Sequence, residues 1–433
     1  MGFPTAARFS QDRRVTSKDN TIGTWRGFAR DGAAATRFAS RLEAIPPEAR
    51  TTAIAWVTPD VDAAWCQAAE GPLHGVPFLV KDLYDVAGVP MRAGSRFLHT
   101  ERPLPAADSA LVRKFRELGA VPVAKTHLNE FAYGATGENP HSGDCFQLPH
   151  PDRLTGGSSS GSAWGVQAGI APIGLGTDTG GSARIPPAFC GLWGVRLTPG
   201  HWSVADAFPL ASSFDSAGWF TTNAADMAET LDLILGHRAE GSLSEGAWVS
   251  LSDLGESEPE MDSALGAMAT RIAKPASASV VRKVREAVER SFAAYSVIVA
   301  REALTVHKQF LARHAAEYDP AVLARLRRAA ELTDSDEAAA RSTMAAVRAL
   351  MHEAVVEAGF VVMPVSPVPA LTKAQSDATQ RERILRLNVP ASLAGLPAIT
   401  IPVPLSSGLT GGLQVIYAPT DSSIPMAVLG ALT

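Results

Sequence analysis

The chain has 433 residues, 46% of them apolar, enough to bury the core of one large domain or a few smaller ones. Its formal net charge of -5 (39 basic and 44 acidic residues) comes with no basic face large enough for nucleic acid and no acidic tail. Cys66, Cys145 and Cys190 are too scattered for a disulfide framework and lack C-x-x-C spacing, so a reducing cytoplasm is the expected setting; no apolar run reaches the ~18 residues of a membrane span, and MGFPTAARFSQDRR lacks the apolar centre of a secretory signal.

Residues 1–50 read as helical and polar. GPLHGVPFLVKDLYDVAGVP then gives a turn and an apolar strand at Val76–Val80, with Lys81 at its end. Asp108 is the expected N-cap of a helix that sets Leu111, Phe115 and Leu118 on one face and stops at Gly119; VPVAKTH follows as a buried strand. This alternation predicts an α/β architecture with much of the sheet parallel. A helix over 158–169 begins at one Gly/Ser loop, GGSSSGS, and a strand at Ile170–Gly176 leads into a second, TDTGGSAR. Residues 240–263, acidic and rich in Gly and Ser, read as a surface excursion, and 281–358 as mostly helical. VVMPVSPVPA, LPAITIPVP and GGLQVIYAP read as short strands and Pro-bounded turns that return to the sheet. With no internal repeat and no linker after residue 50, the organisation expected is an N-terminal helical segment (1–60) packed on one domain (61–433), with a helical insertion at about 240–358.

Two Gly/Ser loops flanking a buried apolar run raise several chemistries. The first has P-loop spacing from Gly156 to Gly161, but Ser162 stands where the phosphate-binding lysine belongs, and the second lacks G-x-G-x-x-G. Gly157-Ser158-Ser159-Ser160-Gly161 matches the nucleophile elbow, with Ser159 as nucleophile. That motif needs a strand before it, where LPHPDRLTGG reads as loop, and neither His201 nor His237 has a distinctive setting for its base. A Ser/Lys system is the third reading: a lysine whose burial lowers its pKa can take a hydroxyl proton. Lys81, ending an apolar strand, is the candidate, provided that strand alternation turns Asp82 to the opposite face.

Lys81 within HGVPFLVKD, GGSSSGS at 156–162 and GLGTDTGGSARIPPAFCG at 174–191 together resemble the amidase signature family, a likeness that runs from about residue 70 to 235 with echoes at VVMPVSPVP and NVPASLAGLPAITIPVP. The resemblance implies the amidase signature fold: a central mixed, largely parallel twisted sheet covered by helices on both sides. It implies a Ser–Ser–Lys triad with Ser182 as acyl nucleophile, Ser158 as bridging serine after a cis peptide at Gly157–Ser158, and Lys81 as base. The spacing of the two serines matches the family's and selects Ser158 over Ser159 and Ser160. The backbone N–H groups of Thr179, Gly180, Gly181 and Ser182 would form the oxyanion hole, supported by Thr155, Ser159, Asp178 and Arg184. The stretch 125–144 would border the pocket, with Phe131 and Tyr133 as aromatic walls. No cofactor and no metal is implied; His127, His141 and His150 lie scattered in loop-like sequence, and Cys190 reads as a small core residue.

The implied partner is a small-molecule amide, with no nucleic acid, no membrane, and a homodimer as the assembly. The stretch 125–144 and PLASSFDSAGWF (209–220) resemble the indole-3-acetamide hydrolase branch. The glutamine-hydrolysing branch of tRNA-dependent amidotransferases differs at His127 and Asn129 and in the short C-terminus, and urea-derivative hydrolases of the allophanate type carry a C-terminal domain not seen here. An inactive binding or scaffold protein is the alternative of a different class, against which intact Lys81, Ser158 and Ser182 speak.

Overall fold

The computed structural model describes residues 19–238 and 245–433. Its strands are β1 (Ile54–Val57), β2 (Pro77–Lys81), β3 (Val121–Thr126), β4 (Ile173–Asp178), β5 (Trp193–Arg196), β6 (Ser216–Thr221), β7 (Ala247–Trp248), β8 (Lys274–Pro275), β9 (Phe360–Pro364), β10 (Ala398–Pro404) and β11 (Thr410–Tyr417). They join one 11-stranded sheet in the order β1-β3-β2-β4-β6-β5-β10-β11-β9-β7-β8, flanked by helices.

The α/β class is as expected, but the sheet is not largely parallel. β2 runs parallel to β3 and β4, and β7 to β8 and β9, while the other six pairings are antiparallel. For one of these pairings connection length gives the reason: 405–409 alone join β10 to β11, and so short a link permits only an antiparallel return. Of the two parallel groups, β2 with β3 and β4 is the one that holds the site. Every residue of β2, β3 and β4 is buried, as expected for strands covered on both faces.

The helix Ser160–Gln167 lies against β2 and β4 at a distance only glycine permits. A Cβ at Gly165 would stand 2.3 Å from Leu79 Cδ1, and one at Gly174 2.9 Å from the Ser162 carbonyl oxygen. This close seat brings the start of the helix, and the serines just before it, to the carboxyl ends of β2 and β4. Open α/β sheets place their ligands at such strand ends.

Elsewhere three expectations change. The helix after β2 spans Ala110–Glu117 and has Ser109, not Asp108, at its N-cap. The Asp108 carboxylate is engaged by the Ala87 N–H (2.8 Å) and Arg116 Nε (3.0 Å) instead. The stretch 240–263 is not simply a surface excursion, because Ala247–Trp248 extends the sheet beside β9 and Val249 and Leu251 are fully buried; 239–244 lie outside the described residues. The apolar run Ala247–Val249 finds a sheet edge that its acidic flanks conceal in the sequence. The N-terminal helices Ile22–Arg30, Ala34–Glu43 and Pro47–Ala53 bury Ile22, Trp25 and Phe38, so the segment is less polar than its composition suggests; residues 1–18 of that reading lie outside the described residues. The stretch from 278 to 358 is helical as expected, led by Ala278–His314, which packs against Asp334–Ala358 and Ala378–Ala394.

Candidate active site

Lys81 closes β2 with no exposed surface. Its Nζ lies within hydrogen-bond distance of three hydroxyls: Ser158 Oγ at 2.8 Å, Ser159 Oγ at 2.9 Å and Thr177 Oγ1 at 2.8 Å. Asp82 turns away, as strand alternation requires, to Lys125 Nζ (2.5 Å) and the N–H groups of Arg92 and Ala93. The amine therefore sits among neutral oxygens with no carboxylate in contact. Burial pushes its pKa from 10.5 down to about 7, against the opposing pull of Asp178 and Asp215 at longer range.

Ser158 reaches this position on a loop whose Gly157–Ser158 peptide is cis. Asn129 backs the loop: its N–H donates to the Ser158 carbonyl (3.3 Å), its Oδ1 accepts from Gly137 N–H (3.1 Å), and its Nδ2 donates to the Glu138 carbonyl (2.6 Å). Ser159 donates to the Thr177 carbonyl (3.2 Å) and is fully buried, so it faces the amine rather than a cavity. No strand leads into it; the isolated bridges of Phe146 with Leu154 and Arg153 with Thr372 lie before the loop, and the elbow geometry is absent. Thr155 does not touch the amine. Its hydroxyl bonds the Cys145 and Gly156 carbonyls, and Cys190 Sγ donates to its own carbonyl (3.5 Å), so it shapes the approach to the loop. Cys190 is buried in the core, as expected.

The second loop is held by ions. Asp178, at the end of β4, accepts from Gly181 N–H (2.8 Å) and Ala183 N–H (2.9 Å), from Arg184 through Nε (3.0 Å) and Nη2 (2.9 Å), and from Arg196 Nη1 (2.7 Å). All three charged side chains are completely buried. Burial alone would raise the Asp178 pKa, but the two guanidinium groups outweigh it and hold the carboxyl far below its usual range. Thr179 donates to Asp215 (2.5 Å), whose other oxygen accepts the N–H groups of Leu210 and Ala211. Burial raises Asp215 to about 6 despite these bonds. Gly181 adopts φ +131°, and a Cβ at Gly180 would meet the Tyr295 hydroxyl at 2.3 Å, so both glycines are required.

Ser182 lies on this loop, 6% exposed, lining a narrow pocket of about 30 Å³ that holds roughly one or two waters. Thr179 and Gly180 line the same pocket. Of the four N–H groups expected at the oxyanion hole, that of Gly181 is already engaged by Asp178. Through Tyr133, Gly134 and Arg381 the pocket shares its wall with a larger cavity of about 840 Å³.

Of the two aromatic walls expected, Tyr133 lines both spaces. Phe131 does not: its backbone at φ +52° turns the ring into a buried cluster with Phe97, Phe208, His307 and Tyr318. Thr177, Arg196, Asp215 and Tyr295 were not read from the sequence. Thr177 and Asp215 stand inside quoted stretches that bear the family likeness and Arg196 within its wider span, a signal that could have found them; Tyr295 reaches the site from an element whose position only the fold reveals. Among the described residues, no helix is long and apolar enough to cross a membrane.

The Amidase family model matches residues 28–294. An indoleacetamide hydrolase of Pseudomonas savastanoi is 41% identical over 176 residues, 41% of this chain and 38% of that protein. The A-type subunit of a glutamyl-tRNA(Gln) amidotransferase from Heliobacterium modesticaldum is 41% identical over 220 residues, 48% of this chain and 43% of that protein. The matched stretch thus spans about two fifths of the length of these relatives. A crystal structure of an amidase, 30% identical, superposes with a TM-score of 0.83 over 95% of this chain and 99% of its own.

Proposed function

The chain belongs to the amidase family, and on that premise we propose that it hydrolyses a carboxylic amide C–N bond through Lys81, Ser158 and Ser182. Uncharged Lys81 accepts a proton from Ser158 as Ser158 takes one from Ser182, and Ser182 Oγ attacks the amide carbonyl. The N–H groups of Thr179, Gly180 and Ser182 bind the tetrahedral oxyanion, each such donor contributing about 3 kcal/mol. The proton returns through Ser158 to the leaving nitrogen, ammonia or an amine departs, and water hydrolyses the acyl-enzyme.

The observation that carries this reading is the Lys81 amine, buried within 2.8 Å of Ser158 and free of any contacting carboxylate, with its pKa lowered to about 7. Protonated Lys81 cannot accept a proton, so activity should rise as pH passes upward through about 7. The same proposal has the chain work as one domain in the cytoplasm, as a homodimer.

A fluorophosphonate probe tests it. The expected result is a label on Ser182, absent in Ser182→Ala and retained in Ser159→Ala. A label that follows Ser159 would favour the hydrolase elbow, and an unlabelled native protein would favour an inactive scaffold. Similarity to the amidotransferase component supports a second reading, a glutamine-hydrolysing member of a larger assembly. Ammonia release from glutamine only with added partner proteins would favour it.

A further inference from the structure

We propose that the amide substrate carries a carboxylate, and that Arg381 binds it beside Ser182. This rests on the hydrolase reading and names its substrate class. Arg381 stands in the first turn of the helix Ala378–Ala394 and lines both the Ser182 pocket and the larger cavity. Its Nε is buried without a hydrogen-bond partner, and among the described residues no carboxylate is in ion-pair contact with its guanidinium, which Glu138 attracts only at longer range. Arg325, on the cavity wall, is similar: its Nε is buried and unpartnered, while its guanidinium lies over the Tyr133 ring at 4.7 Å and donates to the Tyr133 carbonyl.

No acid of the cavity contacts either arginine, although Glu138 attracts Arg381 and Asp319 attracts Arg325 at longer range; Asp319 and Asp377 cap helix starts through the Ala321 and Gln380 N–H groups. Glu138 is held by Lys373, Ser376 and Thr136; Asp144 pairs with Lys373; Glu130 pairs with His141 and the Asp319 N–H. Burial lowers the Arg381 pKa, yet an arginine stays cationic at neutral pH. A half-buried guanidinium with no counter-ion in contact is costly, and a planar carboxylate fits its paired N–H groups.

The small pocket gives the sign. Arg381 is its one charged side chain; the remaining wall comes from Ala132, Tyr133, Gly134, Leu210, Tyr295 and Leu385, besides the catalytic loop. An ammonium group on the substrate finds no acid there, and a neutral chain leaves the guanidinium unpaired.

The test measures kcat/KM for ammonia release from monoamides of dicarboxylic acids of increasing length, each against its methyl ester, with indole-3-acetamide as a neutral aryl reference. The expected result is a preference for the carboxylate of about 10- to 100-fold at the best length, the scale of one charge-assisted hydrogen-bonded pair. Arg381→Gln should reduce that ratio by a similar factor, and Arg381→Lys should keep part of it. Native enzyme that prefers the esters or indole-3-acetamide overturns the proposal, as does a ratio unchanged in Arg381→Gln. Should Arg381→Gln fail to fold, the native series and Arg381→Lys decide it. Native protein that neither releases ammonia from any amide nor takes a fluorophosphonate label on Ser182 overturns the hydrolase reading itself; turnover without a carboxylate preference overturns only the substrate class.

Discussion

The two Gly/Ser loops solve opposite problems. The first, around Ser158, sets two hydroxyls on an amine, to which Thr177 of β4 adds a third, and no carboxylate is in contact, so the group it serves can lose its charge. The second, around Ser182, is fixed by a carboxylate bound to two buried arginines, so its charges are permanent and its backbone is rigid. Low dielectric serves both. It destabilises the lone ammonium of Lys81 and strengthens the paired ions of Asp178. A loop that must titrate and a loop that must not move are thus built from different chemistry only a short helix and one strand apart.

Substitutions can break this contrast. Ser182→Ala should remove kcat by a factor on the order of 10⁶ while leaving the melting temperature nearly unchanged, since Ser182 anchors neither loop; ammonia release and calorimetry check both. Asp178→Asn should instead unfold the second loop's support, leaving Arg184 and Arg196 buried with too little counter-charge, at a cost of about 3–5 kcal/mol in urea denaturation. Thr177→Val removes one of the three oxygens that favour the ammonium form. It should lower kcat about tenfold and shift the acid limb of the pH–rate profile to lower pH, because the remaining site holds a proton less well.

A further effect sharpens the comparison by stability alone. A lysine whose pKa falls from 10.5 unfolded to about 7 folded binds fewer protons in the native state between those values. Native stability should therefore rise with pH from about 7 towards 10.5, and Lys81→Met should lack that slope. Thermal melts of both proteins across that window, compared as a difference, isolate the Lys81 contribution from other titrating groups.

The sequence reveals the two loops and the lysine more readily than the parts around them. Lys81 ends an apolar run, and the Gly/Ser stretches have no other use between buried strands, so these were legible, with the family likeness choosing among the serines. Thr177 is not legible although it lies within a motif stretch, because one threonine near the end of a strand has no distinguishing neighbours; only the parallel pairing of β2 with β4 brings it to the amine. Arg196 comes from β5, which reaches Asp178 through antiparallel pairing with β6 and thus through the part of the topology least visible in the alternation of elements. Phe131 misleads for a local reason: an aromatic in a pocket-forming stretch looks like a wall, but a left-handed backbone turns it to the core. Ala247–Trp248 misleads for a global one, since two residues become a strand only when a sheet edge is waiting.

Lys81 is one of eight lysines in the chain, which makes its signal assignable by loss in Lys81→Met. An NMR titration of protein carrying isotope-labelled lysine tests directly whether this side chain is an uncharged amine under working conditions. Half-protonation near pH 7 is the predicted result. A Lys81 resonance that stays that of an ammonium up to the ordinary lysine range would contradict the account, because no base would then remain to activate Ser182.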